Sequence, residues 1–190
     1  MMTAGPGANI RRLHYVGTGN GGKAWAKLGQ DTVINDLDIK FRLTSLYKGK
    51  GVFGNSSVIG WYYNREYINS IGAFSYYFDG KPQLSLSNIS PYDKLTRITY
   101  SRTSGVVVCY IDGVQRNRRT VSIAATAIAP LFGREASHAG IANAKLYEST
   151  INGVVYTPVE MDGKIGFWCD VDGMLYESIS GTPFVAGPEI

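Results

Sequence analysis

The chain has 190 residues, of which 44% are hydrophobic and 18% are charged, and its formal net charge is +4. This length and composition predict one globular domain with its own hydrophobic core and exclude a wholly disordered chain. No stretch approaches the roughly 20 apolar residues of a membrane-spanning helix, and so small a charge does not predict a nucleic-acid partner.

The first segment, residues 1–12, predicts a short extended arm. It contains two glycines and a proline, and it ends with Arg11 and Arg12. It has neither a basic start nor a continuous apolar run, so we expect no secretory signal. The two arginines are candidates for docking the arm on another protein. Residues 13–190 are predicted to form the single domain.

Residues 17–22, Gly-Thr-Gly-Asn-Gly-Gly, match the glycine spacing of a dinucleotide-binding loop. Such a loop binds a pyrophosphate only when a helix follows it and presents its amide groups. Residues 23–29 alternate small, basic and apolar side chains and end at a glycine, so they do not predict a helix. We interpret the segment as a surface loop.

Hydrophobic patterning predicts strands through most of the chain. Apolar and polar side chains alternate over residues 37–44, which is typical of a strand with one buried face. Residues 106–111 are apolar throughout and predict a central strand that is covered on both faces. Shorter apolar runs predict further strands at 144–147, 154–156, 165–168 and 174–177.

Five dipeptides between these segments predict tight two-residue turns. They are Asp79-Gly80, Asp112-Gly113, Asn152-Gly153, Asp162-Gly163 and Asp172-Gly173. Glycine, aspartate and asparagine tolerate the positive φ that a tight hairpin requires, so five such pairs indicate antiparallel sheets. Residues 121–129 fit a short helix or a strand that runs into a loop. The whole pattern predicts an all-β fold, a two-sheet antiparallel sandwich.

Aromatic residues are concentrated at Trp61, Tyr62, Tyr63 and Tyr67. Exposed aromatic rings stack on sugar rings, and their polar tips bond hydroxyl groups. Neighbouring residues of a strand point to opposite faces, so at least half of these rings should lie in the core. The cluster is therefore a candidate either for glycan binding or for an interface with another subunit.

Charge is distributed unevenly along the chain. Basic residues dominate 94–119, and acidic residues dominate 160–190. Arg116, Arg118 and Arg119 form a candidate basic interface patch. We expect the basic and acidic patches to meet either within the fold or between neighbouring subunits. Aromatic residues are not interleaved with the bases, as a groove for single-stranded nucleic acid would require.

Patterns typical of glycoside hydrolysis are incomplete. Residues 160–165, Glu-Met-Asp-Gly-Lys-Ile, match part of a Glu-x-Asp-x-x-Glu signature of β-glucan hydrolases. These enzymes need two carboxylates that flank the scissile bond. The third acidic position is Ile165, and Asp162-Gly163 predicts a turn, so we expect no catalytic residues and no enzyme activity.

Metal and nucleophile patterns are also weak. The histidines and cysteines are isolated in sequence, at His14, His138, Cys109 and Cys169. No spacing among them suits zinc, and the cysteines are predicted to be buried thiols. We expect no cofactor and no metal. A calcium site made of loop oxygens remains an alternative, because such a site needs no fixed spacing of residues. Asp170 and Asp172 are the nearest candidates.

The C-terminal part carries a series of motifs in a familiar order. They are Ala144-Lys145-Leu146-Tyr147, Pro158-Val159, Gly166-Phe167-Trp168, Asp172-Gly173 and the closing Gly181-Thr182-Pro183-Phe184-Val185-Ala186-Gly187-Pro188-Glu189. This order resembles the closing segment of laminin-G-like, concanavalin-A-like domains found in phage structural proteins and in surface proteins of gut bacteria. With weaker matches earlier in the chain, the resemblance covers residues 13–190.

The resemblance implies a jelly-roll sandwich of the concanavalin-A-like lectin/glucanase type, used without catalysis for adhesion, glycan binding or virion decoration. From it we expect a head-decoration, head-fibre or tail-associated protein of a phage virion, assembled in the bacterial cytoplasm. Its expected partners are capsid or tail proteins of the same particle, further copies of itself as a trimer, and surface glycans. Neither nucleic acid nor membrane is expected. The alternative is a non-catalytic carbohydrate-binding module of a bacterial surface protein.

Overall fold

The computed structural model describes residues 2–3, 8–19, 21–44, 50–55, 59–64, 73–78, 81–86, 93–120, 127–134 and 143–190. Every regular element in these residues is a β-strand, and all strand pairs are antiparallel, which confirms the all-β prediction. Over the same residues, no helix has the length and apolarity needed to cross a membrane.

The strands follow one another through short turns and loops. In chain order they are β1 (Met2–Thr3), β2 (Ile10–Arg12), β3 (Val16–Gly17), β4 (Ala26–Lys27), β5 (Asp36–Leu43), β6 (Lys50–Asn55), β7 (Ile59–Asn64), β8 (Ala73–Phe78), β9 (Lys81–Leu86), β10 (Leu95–Thr103), β11 (Val106–Ile111), β12 (Val114–Thr120), β13 (Leu131–Phe132), β14 (Ala144–Leu146), β15 (Ser149–Ile151), β16 (Val154–Met161), β17 (Lys164–Cys169), β18 (Met174–Glu177) and β19 (Val185–Ala186).

These strands form two sheets, which confirms the predicted sandwich. The first sheet has the order β1-β18-β17-β16-β15-β5-β10-β11-β12. Beside this path, β2 pairs with β16, β14 joins β5 to β3, and β3 pairs in turn with β19. The second sheet has the order β4-β13-β6-β7-β8-β9.

The core lies between the two sheets and is dominated by buried aromatic and aliphatic side chains. On β5, every second residue from Leu37 to Leu43 is buried, as the alternating pattern predicts. From the second sheet, Phe53 and Phe132 are fully buried. The ring of Phe132 lies 6.3 Å from that of Phe53 and 5.5 Å from that of Phe167 on the first sheet. These rings therefore connect the two sheets.

Strand β11 differs from its predicted environment. Its inward residues, including Val107 and Cys109, are buried, but Val106, Val108 and Tyr110 are only half-buried. The prediction that both faces are covered is therefore wrong. The neighbouring strands β10 and β12 cover part of the outward side chains. An apolar strand sequence can therefore result from cover by neighbouring strands as well as from a second buried layer.

Three predicted hairpin turns are confirmed by positive φ at both central residues. They are Asp112-Gly113, Asn152-Gly153 and Asp162-Gly163. At the first of them, φ is 51° for the aspartate and 77° for the glycine. Two residues in this left-handed conformation give the turn a twist that matches that of the flanking strands.

The predicted two-residue turn at Asp172-Gly173 is wrong. Residues 170–173 all lie between β17 and β18, and only Gly173 of these four has positive φ, at 66°. The Gly173 amide donates to the Cys169 carbonyl oxygen at 3.0 Å, which closes a four-residue loop. The Asp172 carboxylate accepts from the Met174 amide, a local bond that competes with the tight turn.

One observed hairpin turn was not predicted, and one predicted turn lies outside the residues that the structure describes. Ser104-Gly105 has φ values of 49° and 75° and joins β10 to β11. Serine is a weaker signal for positive φ than aspartate or asparagine, which explains the omission. Asp79-Gly80 lies outside the described residues, as do 121–126 of the ambiguous segment.

The described parts of the N-terminal arm are extended and hydrogen-bonded to the first sheet. Met2 pairs with Leu175 on β18, and Arg11 pairs with Glu160 on β16. Directly after β2, the Leu13 amide donates to the Pro158 carbonyl oxygen at 2.9 Å. The arm thus extends the sheet along part of its length.

Candidate functional site

The outward face of the first sheet carries a row of polar side chains from five neighbouring strands. We call Thr150, Asp38, Thr99, Tyr110 and Gln115 the polar row. In the strand register each of them stands directly opposite the next, from β15 through β5, β10 and β11 to β12. Opposed residues of antiparallel strands have Cβ atoms about 5 Å apart, so the row is continuous across the sheet.

Arg97 lies beside the polar row and is held there by Asp38. Its Nε atom donates to Asp38 Oδ1 at 2.9 Å, and its terminal nitrogen donates to Oδ2. These hydrogen bonds and the carboxylate charge raise the pKa of the Arg97 guanidinium. Because 53% of the arginine side chain is exposed, the pair adds little to stability. It does fix a fork of donors next to two carboxylate acceptors.

Shallow hollows adjoin the polar row on both sides. One of about 240 Å³ is lined by Asp36, Thr99 and Tyr110 among others, and one of about 280 Å³ is lined by Arg97, Tyr110 and Gly113. The Tyr110 hydroxyl donates to Gln115 Oε1 at 3.4 Å. The surface therefore combines hydrogen-bond donors, acceptors and an aromatic ring on rigid strands.

The predicted aromatic cluster falls on β7 and beyond it. Trp61 pairs with Phe53 on β6 and with Tyr76 on β8, so this strand is internal to the second sheet. The side chains of Trp61, Tyr62 and Tyr63, and all of Tyr67, lie outside the described residues. Their role in glycan or subunit contacts stays a prediction.

The two candidate arginines of the N-terminal arm, Arg11 and Arg12, differ in their partners. Arg11 pairs with Glu160 and, at 3.5 Å, with Glu189. The hydrogen bond to Glu160 and the charge of Glu160 raise the pKa of the Arg11 guanidinium. Arg12 is exposed and forms no ion pair with a described residue. Arg11 is thus engaged within the fold, whereas docking by Arg12 stays a prediction.

The candidate basic patch lies on the edge strand of the first sheet. Arg116 and Arg118 are exposed on β12, whereas the side chain of Arg119 lies outside the described residues. Charged residues on an edge strand oppose uncontrolled strand pairing. The sheet order separates this patch from β2, so Arg12 and β12 are two distinct surfaces.

Two buried tyrosines and a buried cysteine lie beside the exposed Asp172 at the other end of the first sheet. The Tyr176 hydroxyl donates to Asp172, and its ring lies 5.6 Å from that of Tyr156. Burial, with the charges of Cys169 and Asp172, raises the pKa of Tyr156 to about 12. Burial also raises the pKa of Tyr176, and the hydrogen bond to Asp172 is the next cause. Burial raises the pKa of the Cys169 thiol as well.

The cysteines are buried, as predicted, and neither forms a disulfide bond. Because burial holds the pKa of the Cys169 thiol above its ordinary value, the fraction of nucleophilic thiolate at neutral pH is reduced. Burial therefore favours the protonated form of the Tyr156 and Tyr176 hydroxyls and of the Cys169 thiol, so these groups do not form an activated nucleophile.

Replacing Tyr156 with phenylalanine is expected to make the free energy of unfolding decrease less steeply as the pH rises in the alkaline range. The folded-state pKa of about 12 lies above the ordinary value of about 10, so the folded chain holds this proton when the unfolded chain has lost it. The resulting stabilisation is present below pH ~10 and is lost as pH rises to ~12. Urea unfolding of both proteins across this range measures it, and identical pH slopes would contradict the assignment.

The acidic residues weighed for catalysis and calcium are engaged with protein groups. Glu160 pairs with Arg11, and Asp162 accepts from the Asn9 amide at 3.2 Å within the predicted turn. Asp170 accepts from the Trp168 indole nitrogen, and Asp172 accepts from Tyr176. Over the described part of the chain, no three His, Cys, Asp or Glu side chains are grouped to hold a metal ion.

The glycine-rich segment is a loop, as predicted. The Gly22 amide donates to the Gly19 carbonyl oxygen at 3.1 Å, and the short strand β4 follows rather than a helix. His14 is exposed and makes an edge contact with the Tyr147 ring, with 5.5 Å between ring centres. His138 lies outside the described residues.

Comparisons with known proteins assign no family to the chain. Neither a scan against protein-family models nor a search of curated proteins finds a match.

Proposed function

We propose that the chain is a non-catalytic structural module of a phage virion that contacts surface glycans through the polar row and Arg97. The observation that carries the glycan contact is the continuous polar row across five strands. The jelly-roll resemblance of residues 13–190 supports the virion role. The position would be head decoration, head fibre or tail-associated.

The chemistry of the polar row suits a sugar because sugar hydroxyls both donate and accept hydrogen bonds. Asp38 supplies acceptors, Arg97 supplies donors, and the Thr99 hydroxyl supplies either. Tyr110 adds a half-exposed ring on which a sugar face can stack. The ion pair holds Asp38 and Arg97 in place before binding, so less side-chain entropy is lost when a ligand arrives.

Contacts with capsid or tail proteins, or with neighbouring copies in a trimer, would use Arg12 or the basic edge strand β12. Assembly in the bacterial cytoplasm agrees with two cysteines that do not form a disulfide. Mass spectrometry of purified phage particles tests the virion role. The chain is expected at a fixed copy number per particle. Glycan binding by a chain that is absent from particles would favour the bacterial surface module instead.

Replacing Thr99 with valine is expected to weaken glycan binding about tenfold. The change removes one hydroxyl from the middle of the polar row and keeps a β-branched side chain of similar volume. A lost hydrogen bond of about 1–1.5 kcal/mol corresponds to this factor. Binding is first located on a glycan array, and dissociation constants are then measured by titration calorimetry.

The matched control is Thr120→Val, which makes the same change at an exposed position at the end of β12. This variant should bind like the wild type. Equal loss in both variants, or full binding by Thr99→Val, would contradict the role of the polar row. An array without any bound glycan would overturn the glycan contact itself.

A further inference from the structure

A further hollow of about 340 Å³ opens on the same sheet face, next to the polar row. We call it the lysine hollow. The side chains that matter for its chemistry are Lys40, His14, Tyr147, Glu148, Thr157 and Leu95. Lys40 follows Asp38 by two residues on β5, so the hollow begins about 7 Å from the polar row. One extended ligand could occupy both.

The ammonium group of Lys40 forms no ion pair with the acidic side chains that the structure describes, although Glu148 lines the same hollow. On the same face of β5, Asp38 pairs with Arg97, and Arg42 pairs with Asp93 at 2.6 Å. The Lys40 carbonyl oxygen accepts from the Tyr147 amide at 3.0 Å, but no described residue hydrogen-bonds its ammonium group. The residue is half-buried, and its ammonium group is available to an anion.

The remaining lining of the lysine hollow suits a sugar ring rather than a bare anion. Glu148 accepts from the Thr157 hydroxyl at 3.4 Å, which leaves carboxylate lone pairs for ligand hydroxyls. The ring of Tyr147 is held in edge contact with His14, at 5.5 Å between centres. Leu95, 49% exposed, adds an apolar wall. A small inorganic anion would use the lysine but would gain nothing from the ring and the wall.

We propose that the lysine hollow binds a sugar ring that bears a carboxylate, with the carboxylate on Lys40 and its hydroxyls on Glu148. The inference rests on the proposed glycan-binding function and adds the class of sugar. It predicts that an acidic glycan binds more tightly than a neutral glycan of the same size. The Tyr147 ring would stack against the apolar face of that sugar.

The test compares two probes, an oligosaccharide that ends in glucuronic acid and the same oligosaccharide ending in glucose. The wild type should bind the acidic probe about tenfold more tightly, because a charge-assisted bond is stronger than a neutral one. Lys40→Gln should abolish this preference without lowering the affinity for the neutral probe. Lys23→Gln, which removes an exposed lysine from the glycine-rich loop, should retain it.

The outcomes separate this inference from the function on which it rests. Equal affinity for both probes, or a preference that survives Lys40→Gln, would overturn the lysine hollow as a carboxylate site and leave the polar row intact. A preference lost equally in Lys23→Gln would show general attraction to a basic protein and would also overturn it. Binding of neither probe would overturn the inference and, with a blank array, the glycan-binding function as well.

Discussion

Replacing Phe132 with alanine is expected to lower the free energy of unfolding by about 4 kcal/mol. The ring is fully buried and stands between Phe53 of its own sheet and Phe167 of the opposite sheet. Its removal loses apolar burial and leaves a cavity that strand-bound neighbours cannot fill. Because the side chain links the two sheets, this substitution tests the sandwich itself.

The measurement is urea unfolding followed by circular dichroism at neutral pH. Val171→Ala is the control, since Val171 is 76% exposed in a loop, and it should change the free energy of unfolding by less than about 0.5 kcal/mol. A loss below about 1 kcal/mol for Phe132→Ala would mean that this ring does not lie in the core.

Replacing Gly166 with alanine should cost about 3 kcal/mol. This glycine lies within β17, paired with Val159 on one side and Glu177 on the other. An added Cβ would meet the Tyr176 carbonyl group, lying 2.9 Å from its carbon, and the Glu177 Cα at 3.2 Å. These are backbone atoms of a paired strand, so they cannot move aside as a flexible side chain could.

Gly17→Ala is the matched control for this substitution. Gly17 is also a strand glycine, but its added Cβ would meet Val185 at an ordinary 3.6 Å. The control should stay within about 1 kcal/mol of the wild type, on either side, because alanine also reduces the freedom of the unfolded chain. Thermal unfolding of the two variants compares them directly, and equal melting temperatures would contradict the close approach at Gly166.

Several strands and turns of the fold are predictable from local sequence, whereas the longest described strand, β10, is not among the predicted ones. Alternation over 37–44 predicts the buried face of β5, and three Asp-Gly or Asn-Gly pairs predict their turns. Local signals fail where a side chain has another bonding option. Asp172 caps a four-residue loop, and Ser104 adopts positive φ although serine is a weak signal for it.

The candidate site could not be predicted in the same way, because it depends on register between distant strands. Asp38 and Thr99 are 61 residues apart in the chain and become neighbours only when β5 pairs with β10. Polar residues at alternate positions of each strand are visible in the sequence, but each set alone is typical of any solvated face. The lack of an ion pair between Lys40 and the acids of the described residues likewise depends on where those acids fold.

Glycan binding to the outward face of the first sheet can be tested by mapping a bound glycan through backbone amide chemical shifts. The largest shifts are expected at Asp38, Arg97, Thr99 and Tyr110, on three adjacent strands. Shifts confined to β7, with its candidate aromatic residues, would contradict it, as would a bound glycan that leaves the polar row unperturbed.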